Sequence, residues 1–366
     1  MSRPTVGFRR GAIAFLRRLE RGIDRARAGR GADARPLRIE TYRSYGTAAS
    51  VHLKGRVLRG RGAARAEPGE GRWRALAATA RRVLSPEAAG VPVAGWRNGH
   101  RAEGVTNEEG YFHLELPGRA GEEGWVEGEV RAGEAEAVAR VLVPPAGAAF
   151  GVISDVDDTV IRTDATSLWR MIRTVALANA HVRLPFEGVA AFYRALHGEV
   201  NPLFYVSSSP WNLYDLLDHV FELRGIPEGP LLLQDWGIEP EKLVLASHDT
   251  HKREQIDAIV GTYPALSFVL IGDSGQRDPE IYDAVARHYP GRMRVVYIRH
   301  VATEARRREV EKIAAALARE AGVEMLLVAD TVEAARDAAA RGLIAPDTLP
   351  EIAGEKASDE AAEESL

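Results

Sequence analysis

The chain has 366 residues, 45% of them apolar and 27% charged, with no cysteine and a formal net charge of −4. The lack of cysteine excludes disulfide bonds, cysteine-based zinc sites and thiol catalysis, while the composition is that of a soluble globular protein with two or three domains. No apolar run approaches the roughly 18 residues of a membrane-spanning helix. We therefore expect a cytoplasmic protein.

The first segment, residues 1–35, is strongly basic, with ten arginines. Apolar residues at three- and four-residue spacing from Phe8 to Ile23 predict one amphipathic helix with a basic face, followed by a Gly-rich linker at 29–34. Two interpretations stay open. The helix packs on the body of the protein, or it contacts an anionic membrane through residues 1–30. Nucleic acid is not expected as a partner, because no aromatic residues interleave the arginines.

Residues 36–146 show mostly an alternation of apolar and polar residues, which is typical of half-buried strands. Turn signals such as Asn98-Gly99 separate the strands, and one helix is predicted at 73–84. The segment is predicted to be a small β-sandwich. Since it contains no catalytic constellation, we interpret it as an accessory or interaction domain whose partner the sequence does not identify.

From residue 147 to 345 the pattern changes to short apolar runs that alternate with helical segments. The runs lie at 150–153, 203–206, 243–245, 268–271, 295–298 and 325–328. This alternation predicts an α/β domain with a parallel sheet covered by helices on both faces. The acidic tail, 346–366, has no apolar period and is expected to be disordered.

Polar groups follow four of these runs, at the ends where ligands bind in open α/β sheets. Parallel strands present these ends on one edge of the sheet, so the groups can converge there. Together they offer carboxylates for a hard divalent cation, and a hydroxyl and an ammonium group for phosphate oxygens. In chain order they are Asp155-Val156-Asp157-Asp158-Thr159, Ser207-Ser208-Ser209-Pro210, His248-Asp249-Thr250-His251-Lys252 and Gly272-Asp273-Ser274-Gly275-Gln276-Arg277-Asp278.

This series of motifs resembles the haloacid dehalogenase superfamily of phosphatases. The closer resemblance, over most of residues 148–345, is to the catalytic domain of the actin-patch-associated phosphatidate phosphatase family and its bacterial relatives. The resemblance implies a Rossmann-like parallel sheet of haloacid dehalogenase type, preceded by the β-sandwich.

The resemblance also implies catalytic roles. Asp155 attacks phosphorus and forms an aspartyl-phosphate. Asp157 protonates the leaving oxygen and then deprotonates the hydrolytic water. Ser207 and Lys252 bind the phosphoryl oxygens.

The remaining implied roles concern the metal and the substrate. Mg²⁺ is held by Asp155, the backbone carbonyl of Asp157, and Asp273. Asp278 holds the lysine or a metal-bound water, and is therefore included among the metal-site residues. The substrate-binding set is completed by Thr159, Ser208 and Ser209.

Some residues keep two interpretations. Asp158 belongs either to the surroundings of the metal or to an ordinary turn. The pair His248 and His251 has the spacing of metal ligands, but we favour histidines that cap a helix or support other ligands.

The predicted function is that of a Mg²⁺-dependent phosphomonoester hydrolase. Phosphatidate or a related lipid phosphate is the leading substrate, with diacylglycerol as the product from phosphatidate. One alternative is a soluble, protein or nucleic-acid phosphomonoester. An alternative of another class is a non-catalytic membrane- or protein-binding scaffold.

Overall fold

A computed structural model of the chain describes residues 35–60, 87–156, 159–160, 187–234 and 246–364. The expected basic helix with its membrane contact and the helix at 73–84 lie outside these residues. Among the helices described, none combines the length and apolar character needed to cross a membrane.

Two sheets are built from residues 37–143. Strands β1-β3-β6 form an antiparallel sheet, and β2-β8-β7-β4-β5 form a second sheet that is antiparallel except for the β2–β8 pair. The strands are β1 (Leu37–Tyr42), β2 (Ser44–Tyr45), β3 (Ser50–Arg59), β4 (Pro92–Arg97), β5 (His100–Val105), β6 (Tyr111–Pro117), β7 (Gly124–Ala132) and β8 (Ala135–Val143).

Alternation of side chains directs the apolar residues of both sheets into one core. On β6, Phe112 and Leu114 are buried whereas His113 is exposed. These apolar residues join Leu53 of the same sheet and Val130 of the second sheet in a single cluster. On β6, the period of two in the sequence therefore places the apolar face correctly.

The predicted turn at Asn98-Gly99 is confirmed. It joins β4 to β5 directly, with Arg97 paired to His100. Asn98 has φ 50° and Gly99 has φ 80°. Positive φ at both central residues is what a tight two-residue hairpin turn requires, and it explains the choice of Asn and Gly.

A six-stranded parallel sheet follows, in the order β11-β10-β9-β12-β13-β14. Its strands are β9 (Gly151–Asp155), β10 (Leu203–Pro210), β11 (Leu231–Gln234), β12 (Phe268–Asp273), β13 (Met293–Arg299) and β14 (Met325–Val328). Every residue of the central strands β9 and β12 is buried. Such unbroken apolar runs are expected of strands that are covered on both faces.

Helices and two apolar clusters cover the two faces of this sheet. The helices are α1 (Val189–His197), α2 (Tyr214–Arg224), α3 (Ala246–Thr262), α4 (Asp278–His288), α5 (Glu304–Ala321), α6 (Thr331–Ala340) and α7 (Leu349–Glu364), with short 3₁₀ turns at Trp211–Leu213 and Pro346–Thr348. The expected α/β architecture with a parallel sheet is confirmed.

The strand order reverses between β9 and β12. The chain leaves β9 toward β10 and β11 on one side, and later returns beside β9 to build β12, β13 and β14 on the other. At such a switch point the connections diverge and leave a crevice at the carboxyl ends of the strands. The catalytic candidates Asp155 and Asp273 end these two strands.

The third strand differs from expectation. The edge strand is β11, which pairs with β10 through Tyr205 and Leu231. The apolar run at 243–245 that we predicted as this strand lies outside the described residues. A four-residue strand made almost wholly of leucine carries no alternation by which a sequence pattern could separate it from a helix.

The sheets of residues 37–143 pack directly on the parallel-sheet part. The ring of Tyr42 stacks on Trp211 with 4.4 Å between centroids, and Tyr45 meets Phe204 edge to face at 5.7 Å. Between these tyrosines, Arg43 forms an ion pair with Asp218 of α2. Trp211 directly follows the Ser207–Pro210 segment, so this contact reaches the candidate site.

The prediction of a disordered tail at 346–366 is wrong, because residues 349–364 form helix α7. Its acidic residues have a structural role. Glu355 accepts a hydrogen bond from the backbone N–H of Ala191 at 2.8 Å, and Asp359 accepts one from that of Gly188 at 3.0 Å. These N–H groups begin helix α1 and have no partner within it. The carboxylates therefore cap α1 and also compensate its positive end.

We expect Ile352→Ala to lower the free energy of unfolding by about 2–4 kcal/mol. Ile352 is buried, with 1% exposure, in the cluster beneath α1, so the truncation leaves a cavity. Urea denaturation measures the change, with Ala353→Ser at an exposed neighbouring position as the control. Equal stability of Ile352→Ala and the wild type would contradict the docking of α7.

Candidate active site

Three neighbouring strands bring the predicted groups to one edge. In the register of the parallel sheet, Val206 of β10 lies beside Asp155, and Ile271 of β12 lies beside Ser154. Ser207 and Asp273 therefore stand just beyond Asp155 on its two sides. The convergence expected from the sequence is what the fold produces.

Lys252 connects two of the carboxylates. It lies on α3, and its Nζ donates to Asp155 Oδ1 at 2.7 Å and also to Asp278 Oδ1. All three side chains are buried, with 4% exposure for the lysine and none for the aspartates. Burial alone disfavours the ammonium form, but the two carboxylates outweigh this effect and raise the pKa of Lys252. The lysine therefore stays protonated.

Asp278, the first residue of α4, holds both the lysine and the backbone of β12. Its Oδ2 accepts a hydrogen bond from the N–H of Asp273 at 3.1 Å. Gly272 passes so close to this carboxylate that a Cβ there would overlap with it and would lie 2.8 Å from Asp278 Cγ. A residue with a side chain therefore does not fit at this position of the motif. Of the two roles implied for Asp278, the geometry favours holding the lysine.

The two carboxylate oxygens of Asp273 have different surroundings. Its Oδ1 accepts hydrogen bonds from the N–H groups of Gly275 at 2.6 Å and Gln276 at 2.9 Å. Its Oδ2 is buried and has no hydrogen-bond partner among the described residues. Burial, followed by repulsion from Asp278, raises the pKa of Asp273 to about 7.

These residues fit a divalent cation. Asp155, Asp273 and Asp278 each offer a carboxylate oxygen, and the three oxygens lie within 4.8 Å of one another. With all three carboxylates ionised, the three aspartates and the one ammonium carry a net charge of −2 in a buried space. A hard cation with oxygen ligands removes that excess and provides a partner for Asp273 Oδ2.

The four hydroxyl residues predicted to bind the substrate differ in their exposure. Ser207 is buried, and its Oγ accepts a hydrogen bond from the N–H of Ser209 at 2.9 Å. Ser209 is also buried, while Ser208 is partly exposed. Thr159 is buried, and its Oγ1 has no hydrogen-bond partner within the described part of the chain.

Some predicted residues are not placed at the site. Asp157, Asp158 and the side chain of His248 lie outside the described residues. His251 instead hydrogen-bonds Gln255 at 3.0 Å, and Gln255 in turn donates to the carbonyl oxygen of Leu233. Gln255 is not a predicted ligand, so the supporting role that we favoured for His251 stays a prediction.

The sequence did not single out Arg299. It ends β13 in register with Asp273, and it forms a mostly buried ion pair with Glu187 at 3.3 Å. The only sequence signal available was its place at a strand end. An arginine at that place is common on protein surfaces, so the signal was too weak to use.

Comparisons with known proteins match the segment that contains this cluster. The family model for the catalytic domain of phosphatidate phosphatase APP1 matches residues 150–300. Phosphatidate phosphatase APP1 of Saccharomyces cerevisiae is 33% identical over 152 residues, and an uncharacterized protein of Schizosaccharomyces pombe is 27% identical over 156 residues. The alignments cover 41% and 42% of this chain. They span only 26% of the length of each relative.

A solved structure, that of a carbohydrate acetylesterase from Xanthomonas citri, overlaps 78% of this chain and 66% of its own. With 12% identity and a TM-score of 0.32, that overlap carries no argument about fold or function. The family match, by contrast, begins just before β9, ends just after β13, and includes all the motifs that converge at the carboxyl edge. Residues 150–300 are therefore similar to the catalytic domain of phosphatidate phosphatase APP1.

Proposed function

We propose that the protein is a Mg²⁺-dependent phosphatase that hydrolyses a phosphomonoester through an aspartyl-phosphate on Asp155. The observation that carries the proposal is the buried cluster of Asp155, Lys252, Asp273 and Asp278 at the switch point of the parallel sheet. Its charge balance suits a cation and a phosphoryl group, and its segment is similar to a phosphatase catalytic domain.

The proposal includes the fold type. Numbered from β9, the order of the parallel strands is 3-2-1-4-5-6, which is that of a Rossmann-like sheet and is consistent with the haloacid dehalogenase type. The two sheets of residues 37–143 share one apolar core, which supports a β-sandwich as the preceding accessory domain.

In the first half-reaction, a carboxylate oxygen of Asp155 forms a bond to phosphorus while the bond to the leaving oxygen breaks. Asp157 gives its proton to that oxygen. In the second half-reaction, Asp157 takes a proton from water, and the water oxygen displaces Asp155 from phosphorus. The products are an alcohol and inorganic phosphate.

The other residues bind and orient. The protonated Lys252, which Asp278 fixes in place, faces the negative oxygens of the transferring group. Ser207, which follows the sheet partner of Asp155, contributes a further contact to these oxygens. Asp155, Asp273 and the backbone carbonyl of Asp157 would hold Mg²⁺, which supplies positive charge against the phosphate when bound.

We propose phosphatidate, or a related lipid phosphate, as the substrate, with diacylglycerol as the product from phosphatidate. The support is the similarity of residues 150–300 to phosphatidate phosphatase APP1. A contact of residues 1–30 with an anionic membrane is part of the same proposal. A soluble phosphomonoester is the second candidate, since the chemistry of the cluster is the same for both.

Phosphate release from phosphatidate in vesicles and from p-nitrophenyl phosphate in solution tests the proposal, each with Mg²⁺ or with a chelator. We expect hydrolysis of phosphatidate with Mg²⁺ and a loss of about 10⁴-fold or more in Asp155→Asn. Asp283→Asn, a change on the surface side of α4 at a residue paired with Arg287, serves as the matched control.

The outcomes separate the parts of the proposal. Phosphate release from the soluble ester alone would support the phosphatase activity and contradict the lipid substrate. Release from neither ester would contradict the enzyme and favour a scaffold, whereas full activity of Asp155→Asn would contradict the role of Asp155 as nucleophile. A phosphorylated peptide containing Asp155, recovered after acid quenching, would support the covalent step.

A further inference from the structure

Arg306, in the first turn of α5, makes a set of contacts that no catalytic motif contains. Its Nε donates to the carbonyl oxygen of Ser274 at 3.1 Å, and its Nη2 donates to that of Gln276 at 3.0 Å. The same guanidinium forms a two-pronged ion pair with Glu280 of α4, at 2.7 and 2.8 Å. The side chain is largely buried, with 19% exposure.

These contacts end on the loop that carries the candidate metal ligand. The carbonyl of Ser274 and the N–H of Gly275 belong to one peptide group. Arg306 donates to its oxygen, and its N–H donates to Asp273 Oδ1 at 2.6 Å. Gln276 also contacts both side chains, through its N–H to Asp273 and its carbonyl to Arg306, but these two groups belong to successive peptides. Arg306 is thus linked to the carboxylate of Asp273 indirectly, through the backbone of residues 274–276.

The contact with Ser274 acts on the hydrogen bond between Gly275 and Asp273. A cationic donor on a peptide oxygen polarises that peptide and strengthens the hydrogen bond made by its N–H. Arg306 also fixes the plane of the Ser274–Gly275 peptide, so the N–H stays aimed at Oδ1 and leaves Oδ2 to face the cluster. The loop is held from the other side as well, because Ser274 Oγ accepts a hydrogen bond from Val301 N–H at 3.0 Å.

Only arginine can make this set of contacts from one side chain. The guanidinium carries five N–H donors in a rigid plane, and four of its hydrogen bonds here reach two carbonyls and one carboxylate. Lysine has one ammonium group on a flexible stem and cannot span these acceptors together. Arg307, the next residue, instead points to the exposed side and pairs with Glu311 at 3.1 Å.

We propose that Arg306 is a positioning residue that sets the affinity of the site for its divalent cation by fixing the 274–277 loop around Asp273. The inference rests on the metal site of the proposed function, but not on the identity of the substrate. Residues that orient metal ligands from behind typically change metal affinity by about 10- to 100-fold when replaced.

Calorimetric titration of the full chain with Mg²⁺ alone tests the inference in Arg306→Lys, Arg306→Gln and the control Arg307→Gln. We expect the dissociation constant for Mg²⁺ to rise about 10- to 100-fold in both Arg306 variants and to stay within about twofold in Arg307→Gln. At saturating Mg²⁺, kcat should recover most of its wild-type value and KM for the substrate should not change.

A merely structural role would give a different result. It would lower the melting temperature in chelator while the folded Arg306 variants bind Mg²⁺ with wild-type affinity, and that outcome overturns the inference. Should Arg306→Gln not fold, Glu280→Gln, which loosens the guanidinium without removing it, must show a smaller rise in the same constant.

The test also separates this inference from the proposed reaction. Wild-type protein that binds Mg²⁺ but hydrolyses no phosphate ester would contradict the phosphatase, while the Arg306 variants still test the loop. Wild-type protein that does not bind Mg²⁺ would contradict both.

Discussion

Replacing Asp273 by Asn is expected to stabilise the metal-free protein while abolishing its affinity for Mg²⁺. The asparagine Oδ1 can keep the hydrogen bonds from Gly275 and Gln276. Its Nδ2 takes the place of Oδ2, which has no hydrogen-bond partner among the described residues. The substitution removes a buried negative charge that Asp278 repels, and with it a ligand that a divalent cation needs.

The size and pH dependence of this stabilisation follow from the pKa of Asp273. Burial and Asp278 raise that pKa from 3.8 to about 7, which corresponds to at most about 4 kcal/mol at 1.36 kcal/mol per unit. The pKa of Asp273 is higher in the folded state than in the unfolded state, so this carboxyl group contributes its full stabilisation below the unfolded pKa. That contribution is lost as the pH rises toward about 7. The advantage of Asp273→Asn should therefore grow over this range and then stay constant.

Urea denaturation in chelator near pH 5 and near pH 8 measures the difference in stability between the variant and the wild type. The same experiment with Mg²⁺ tests the expected loss of affinity for the cation. Mg²⁺ should stabilise the wild type through binding to the folded state and leave Asp273→Asn unchanged. Asp283→Asn, away from the cluster on the exposed side of α4, should follow the wild type throughout. An Asp273→Asn protein that is less stable than wild type in chelator near pH 8 would show that Asp273 is not strained.

Replacing Lys252 by Met is expected to have the opposite effect on stability and to remove most of the activity. The lysine is the cation that Asp155 and Asp278 share. Without the lysine, these buried carboxylates lose their shared cation. Removing one partner of such a buried pair lowers the free energy of unfolding by about 3–5 kcal/mol. The transferring phosphoryl group also loses a positive donor, so kcat should fall by about 10²- to 10³-fold.

A double-mutant cycle separates the two effects. Asp278→Asn in the Lys252→Met background should recover part of the lost stability, because it removes one of the uncompensated charges, but it should not recover activity. Lys312→Met, at an exposed position on α5, is the control and should change neither quantity. If Lys252→Met unfolds at the same urea concentration as wild type, the lysine does not neutralise the cluster.

The sequence predicts the catalytic edge better than it predicts the rest of the fold. Strands β9, β10, β12, β13 and β14 were recognisable because buried parallel strands are short, continuous apolar runs. The side chains that follow them must converge once the strands are parallel, so Asp155, Ser207 and Asp273 could be placed by topology alone. Lys252 needed more than topology, because it lies on a helix, and the resemblance to a known motif supplied its role.

The failures have a common physical cause, which is that the deciding contacts are distant in the sequence. The acids of α7 resemble a solvated tail until Gly188 and Ala191 offer their unpaired N–H groups, more than 160 residues away. Arg306 stands in a run of three arginines, and only the packing of α5 against α4 shows which of them faces the 274–277 loop. Local pattern cannot distinguish a solvent-exposed charge from one that meets its partner through tertiary structure.

The contact through Tyr42, Arg43 and Tyr45 bears on how this protein could have been assembled and how it can be rearranged. These three neighbouring residues cover Trp211 and Phe204 and pair with Asp218. A gene fusion that carried the parallel-sheet part to a new setting without them would uncover large aromatic side chains beside the Ser207–Pro210 segment and promote aggregation. The two parts are therefore expected to be inherited together, and we expect a chimera to fold only if it keeps residues 42–46 with the parallel-sheet part.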